Sequence, residues 1–249
     1  MARNFASSDM AHGPIYKRIK NQLTERLASG EWKPNEAIPS ETRLAQEFDV
    51  SIGTIRKAID ELVADKILVR QQGRGTFVAA HTQDRFLYHF FHVVNEDGTR
   101  RLPVTELLAF RKERADEGVA RRLFLDRGAR VVHFRNLLCI EGAPVEVNDV
   151  YLSADRFADF TRDLLANRPG TIYQLYQDHY GINVIRISER IRSAAAQHPE
   201  AQLLGLPGGA PVLAIERTAF TYGEAPVELR RSLVNTEHHV YLNEMAKQV

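Results

Sequence analysis

The sequence holds a single cysteine and almost no net charge, and the first shortage excludes whole classes of protein. With Cys139 alone, no intramolecular disulfide and no thiolate-rich metal cluster can form, which fits a reducing, cytoplasmic setting. Leu138 and Ile140 flank it, so a buried strand thiol acting as a small hydrophobe is expected. The formal charge of +1 names neither a nucleic-acid nor a membrane partner, although a balanced total can hide a local patch. No apolar run approaches the roughly 18 residues that cross a bilayer. The first residues, MARNFASSDMAHG, lack the apolar core of a secretion signal and read as a disordered tail over 1–13. GxSxG and Cys-centred nucleophile patterns are missing. His89 and His92 stand three apart with no third ligand indicated, so neither a metal nor a cofactor is expected.

What is present suits two domains rather than one: 249 residues, 44% hydrophobic and 26% charged. Up to residue 80 the chain carries 12 basic and 10 acidic residues, against 21 and 22 after it, so placement matters more than the sum. Pro14 suits the first turn of a helix, and behind it Ile15, Ile19, Leu23 and Leu27 recur at helical spacing until Gly30. Pro34 and Pro39 keep the next stretch extended. Ser40 is a natural N-cap for a short helix with Leu44 and Phe48 inward. Asp49 and Val50 make a tight turn, and Ser51 caps a third helix whose inward residues are Ile52 or Ile55, then Ile59, Leu62 and Val63. The segment KILVRQQGRGTFVAA then reads as a hairpin with a basic, flexible tip. Three short helices and a hairpin form a winged helix-turn-helix over 14–80.

The pattern changes after Ala80. Residues 81–99 read as a linker and a first strand. From 100 to 249 strands dominate: 105–115, a hairpin around Glu141-Gly142, a long strand through INVIRISERIRSA, and a second hairpin around Gly223-Glu224. Helices are expected through EGVARRLFL, from Ser153, from Thr171 to a stop at Gly181, and from Pro199. This is α+β with a mainly antiparallel sheet. The two hairpins carry EGAPVE and GEAPVE, a likeness that suggests paired elements around one pocket.

Taken in order, ASGEWKPNEAIPSE, TIRKAIDEL and QGRGTFV resemble the DNA-binding domain of the GntR family of bacterial transcription regulators. EGAPVEVNDVYL, LYQDHYGI, LLGLPGGAPVLAIERTAF and APVELRRS resemble the UTRA effector domain, with its lyase-like fold, of the HutC subfamily. The resemblance implies a homodimer that binds double-stranded, palindromic operator DNA, usually as a repressor, and releases it when a small metabolite enters the UTRA pocket. Across the family that metabolite is a sugar phosphate, urocanate or another small acid or amine, and an anion is expected here.

The resemblance also implies a site. The third helix enters the major groove, its first residues at the base edges, which puts Ser51, Gly53, Thr54, Arg56 and Lys57 nearest the DNA. Arg56 is the bidentate reader of guanine, or a phosphate contact. Its bland alternative is a surface arginine on an amphipathic helix, as that of Ser51 is a helix cap alone. Ser40, Thr42 and Arg43 open the helix that crosses the phosphate backbone. Gln72, Gly73 and Arg74 resemble the family's minor-groove finger, where a narrow groove attracts arginine. For the effector, positions carried over from relatives are Arg135, Thr171 and Glu228, and His133 joins them because it shares a strand face with Arg135, two residues away. Arg135 would pair an anion, Thr171 would offer a helix start, and Glu228 would accept from a ligand hydroxyl or amine. Against these stand an edge salt bridge, a plain cap and a solvated carboxylate. The rival function is a lyase-like enzyme acting on a small carboxylate, since fold likeness carries no chemistry by itself.

Overall fold

A computed structural model describes residues 14–244, so the tail proposed for 1–13 lies outside the described residues. The chain divides into two compact units, 1–80 and 81–249.

The first unit is built on α1 (Ile15–Ala28), α2 (Glu41–Glu47) and α3 (Ile52–Ala64), then β1 (Leu68–Gln71) and β2 (Gly75–Val78). Its core gathers Ile19, Leu23 and Leu27 of α1, Leu44 of α2 and Ile55, Ile59 and Leu62 of α3, all buried. Each such side chain stabilises the fold by roughly 1.5–3 kcal/mol of transfer free energy. Trp32 and Ile38 from the extended stretch complete it. Both predicted caps form: Ser40 Oγ accepts from the Arg43 amide and Ser51 Oγ from the Thr54 amide. Between α2 and α3 the chain reverses through Asp49 at φ 52°, a left-handed conformation that Asp tolerates better than most residues. β1 and β2 pair antiparallel from Leu68↔Val78 to Gln71↔Gly75, leaving Gln72, Gly73 and Arg74 as the tip, and Ala37 bridges to Phe77.

In the second unit the expected linker is instead a helix, α4 (Gln83–His89), followed by a three-residue strand, β3 (Val93–Asn95). Thr82 caps α4, and Phe86, Phe90 and Phe91 are buried in the unit's core. β4 (Val104–Arg114), α5 (Glu117–Arg122), β5 (Arg130–Ile140) and β6 (Ala143–Ser153) follow. The helix expected from Ser153 does not form there. Residues 154–159 are turns, and α6 (Arg162–Ala166) starts one cap later, at Thr161. Then come α7 (Ile172–Tyr180), β7 (Arg186–Ala195), α8 (Glu200–Leu203), β8 (Pro211–Phe220), β9 (Pro226–Val234) and β10 (His239–Tyr241).

Six strands form one antiparallel sheet in the order β4-β5-β6-β9-β8-β7, while β3 pairs with β10. Side chains alternate between its faces. The even residues of β5, Val132, Phe134 and Leu138, join the large core with Val150, Leu152, Phe86, Phe157, Phe160, Leu165, Tyr173 and Tyr176. The opposite face is covered at two places: by α5, packing Val119 and Leu123 on Val131 and Leu229, and by α8, packing Ala201 and Leu204 on Val147 and Val212. Cys139, expected to be buried, is half-buried, and burial raises its pKa. No helix among the described residues is long and apolar enough to cross a membrane.

A candidate nucleic-acid interface and a ligand cavity

In the first unit every proposed DNA contact but Thr54, which is half-buried, is exposed: Ser40, Thr42, Arg43, Ser51, Gly53, Arg56, Lys57, Gln72, Gly73 and Arg74. The Ser51 hydroxyl caps α3 and also lies 2.9 Å from the Thr54 hydroxyl, so its capping role is occupied. A methyl group added at Gly53 would meet only Ser51 Oγ, at 3.8 Å, so the start of α3 is open to a close partner. Ile52 is exposed beside it. Gly73, at φ 71°, holds the wing tip in a conformation few side chains allow. Arg74 lies over the Phe77 ring.

Besides Arg74, two of the proposed basic DNA contacts are engaged within the unit. Lys57 Nζ sits 4.1 Å from the Tyr16 ring centroid, turned back onto α1. Arg56 Nε bonds Glu41 at 2.9 Å, and the other oxygen of Glu41 accepts from Arg70 at 3.0 Å. Exposed pairs of this kind contribute about 0–1 kcal/mol, so a phosphate or a guanine edge can displace them. Glu41 would therefore compete with DNA for Arg56, while it shares Arg70 with Asp60, which lies at 2.7 Å. Glu41→Gln is expected to raise affinity for arbitrary duplex DNA up to about fivefold at low salt, an effect that fades as salt screens it. Titration of a labelled duplex at two ionic strengths measures it, and unchanged binding at low salt would contradict the competition.

The second unit separates the four effector candidates. His133 and Arg135 are odd residues of β5 and point away from the large core. Arg135 forks onto Asp149 at 3.0 and 2.6 Å and reaches Glu200 at 3.1 Å. His133 Nε2 lies 2.7 Å from Asp149, and its ring stacks on Tyr151. Burial works against the Asp149 charge, yet the hydrogen bonds from His133 and Arg135 hold its pKa down to about 2. This is a saturated ion-pair network on the outer face, so Arg135 has its anion within the chain.

Glu228 is on the core face but fully buried. It accepts from Tyr173 at 3.2 Å, from Tyr176 at 2.7 Å and from Arg230 at 3.0 and 3.2 Å. It is neither solvated nor lining a cavity; it fixes Arg230. Burial opposes the Arg230 charge, and Glu228 beside it raises the pKa regardless.

Thr171 does reach a cavity. About 280 Å³ of space is lined by Thr171 and Ile172 at the start of α7, Arg168 and Gly170 just before it, Asn136 and Leu138 of β5, Arg230 of β9 and Gln83 and Phe86 of α4, among others. The Thr171 hydroxyl caps α7 by accepting from the Gln174 amide at 3.2 Å. The earlier amides of α7 have no intrahelical acceptor, and the helix dipole favours an anion at that end. The lining includes two arginines and no carboxylate. Sequence reasoning missed Arg168, Arg230 and Asn136. Arg168 had one usable signal, a cation three residues ahead of a predicted cap. Asn136 sits beside the chosen Arg135, on the other face.

Comparison with known proteins bears on both units. Residues 99–240 match the UTRA domain, and residues 15–78 match the gntR family of bacterial regulatory proteins. The histidine utilization repressor of Klebsiella aerogenes is 30% identical over 214 residues, covering 85% of this chain and 86% of that one. The transcriptional repressor NagR of Bacillus subtilis is 24% identical, over 93% of this chain and 95% of its own. Among solved structures, the ligand-binding domain of a GntR-family regulator from Bordetella bronchiseptica aligns with a TM-score of 0.60 and 31% identity, covering 64% of this chain and 99% of that one.

Proposed function

The chain belongs to the gntR family of bacterial regulatory proteins, in the HutC-type branch that carries a UTRA domain, and on that premise we propose how this transcriptional repressor works. It binds a palindromic operator as a homodimer, with α3 in the major groove and the Gln72-Gly73-Arg74 tip in the minor groove. A small anionic metabolite entering the cavity at the head of α7 releases it. A two-fold dimer suits a palindrome because each protomer reads one half-site, and the spacing between the reading helices sets the fit.

One observation carries the reading. The cationic cavity is lined in part by α4, through Gln83 and Phe86, and α4 begins three residues after Ala80, the last residue of the DNA-binding unit. A ligand that reorders α4 thereby changes the run of chain leading to the winged helix. By linkage, operator DNA weakens ligand binding by the factor with which ligand weakens DNA binding. The enzyme reading finds less support. The buried acid closest in sequence to the cavity residue Arg230 is Glu228, and four hydrogen bonds already occupy it.

Arg56→Ala tests the DNA side. On an operator selected from random DNA, loss of a bidentate base contact is expected to cost about 1–3 kcal/mol, roughly 5- to 150-fold in affinity, and to relax preference at the contacted base. Equal affinity and equal preference in the variant would take Arg56 out of the interface.

A further inference from the structure

Resting on the reading of the α7 cavity as the effector site, we propose its ligand class: a small monocarboxylate that also carries a hydrogen-bond donor. Arg168 receives the carboxylate and the side-chain carbonyl of Asn136 receives the donor.

The argument comes from what the cavity leaves unmatched. Arg168 is half-buried, its Nε is buried without a partner, and Nη1 donates one hydrogen bond, to the Leu165 carbonyl at 2.6 Å. No carboxylate among the described residues pairs with it, whereas Arg230 and Arg217 each have one at 3.0 and 2.6 Å. Burial accordingly lowers the Arg168 pKa. Arg85 is also unpaired, but it does not line the cavity. A desolvated cation without a counter-charge is destabilising, and a carboxylate ligand would relieve it through charge-assisted hydrogen bonds. The start of α7, with its free amides, favours the same sign of charge.

Asn136 supplies the second requirement. It is 5% exposed, its Oδ1 has no hydrogen-bond partner, and it lines the cavity. An orphaned buried acceptor costs about 1–3 kcal/mol, which an N–H or O–H of the ligand would recover. The charge count then limits the anion. Arg230 is neutralised by Glu228, so one uncompensated cation remains, matched by a monocarboxylate and exceeded by a phosphate dianion. The cavity, about 280 Å³, suits a small metabolite. Phe86, Leu102, Pro103, Leu138 and Ile172 form apolar walls for the body between the two polar ends.

The test uses the full chain and matched series on benzoate, imidazole and four-carbon aliphatic scaffolds. Each series holds an acid with a donor, the same acid without it, the methyl ester of the donor-bearing acid, and the corresponding phosphate. Binding is read by thermal shift and titration calorimetry. On at least one scaffold the donor-bearing acid should bind about tenfold or more tightly than the other three. Arg168→Met should abolish that binding while leaving the ligand-free melting temperature at or above the parent's, because it removes an unpaired buried charge. Arg168→Lys, which keeps the charge but not the fork, should retain part of the affinity. Asn136→Leu should erase only the advantage of the donor. The proposal is overturned if a phosphate or an ester is the tightest binder, if no scaffold shows the acid ahead of its ester, or if Arg168→Met binds within twofold of the parent. Operator binding, measured in parallel, separates the two readings. Release of DNA by compounds that ignore Arg168→Met removes the ligand class and keeps the repressor. Failure of the ligand-free chain to bind any selected DNA removes the repressor, whatever the ligands do.

Discussion

Glu228→Gln is expected to destabilise the second unit by about 3–5 kcal/mol, the cost of breaking a buried ion pair from one side. Glu228 is fully buried and Arg230 is 6% exposed. The amide would leave the guanidinium without a counter-charge and would present an N–H₂ group to donors from Tyr173, Tyr176 and Arg230. Against a typical total of 5–15 kcal/mol the loss is large. Urea unfolding of the full chain, followed by a probe in the second unit, measures it. The double variant Glu228→Leu with Arg230→Met is expected to recover most of the loss, since a buried pair replaced by apolar side chains of similar volume is often neutral. A single variant within about 1 kcal/mol of the parent would mean that solvent reaches the pair and that this part of the core is not sealed.

That network also marks the boundary of what the sequence could reveal. The first unit was legible because local rules agree there. Ile19, Leu23 and Leu27 keep helical spacing, Ser40 and Ser51 stand where caps belong, and the glycines at 73 and 75 sit at the wing. Each signal acts within a few residues, and the fold adds little to overrule it. In the second unit, the hairpins and the cap at Thr171 were legible for the same reason. α4 was not. Its segment, TQDRFLYHFF, is aromatic around much of its circumference, so it lacks the polar contrast that periodicity needs. Only tertiary packing, with Phe86, Phe90 and Phe91 in one core, decides the matter.

On the effector side, what stayed illegible was the parity of β5. β5 has apolar residues on both faces because α5 and α8 cover the face opposite the main core. Alternation therefore says that His133 and Arg135 share a face, but not which one. They took the outer face with Asp149, and Asn136, one residue on, took the cavity. Glu228 read as a ligand acceptor because its partners, Tyr173 and Tyr176, come from α7, more than fifty residues earlier. A carboxylate satisfied at that range cannot be told from a free one in the sequence.

His81, the first residue of the second unit, is expected to make that unit acid-sensitive above the usual carboxylate range. Its ring is buried against Phe90 and Tyr173, and Gln177 accepts from its backbone amide. Burial first, and the Arg85 guanidinium second, lower its pKa from 6.5 to about 3. The unfolded chain therefore takes up a proton that the folded chain refuses. The stabilisation is complete above about pH 6.5 and is lost as the pH falls toward 3, at about 1.4 kcal/mol per pH unit, on the order of 5 kcal/mol in all. His92 and His239, whose pKa values burial also lowers, add to the same slope. Asp149 adds its own loss only at lower pH, as its carboxylate is neutralised toward about 2. His81→Phe keeps an aromatic ring beside Phe90 and Tyr173 and removes the proton. The variant should lose about one proton's worth of slope between roughly pH 4.5 and 6.5 while staying within about 1–2 kcal/mol of the parent near pH 8. An unchanged slope, measured by urea unfolding across that range, would show that His81 is protonated in the folded state and that the junction beside α4 is open to water. A reduced slope would place a sealed, neutral imidazole at the point where the effector unit begins, the condition under which a ligand-driven shift of α4 can be transmitted rather than absorbed by solvent.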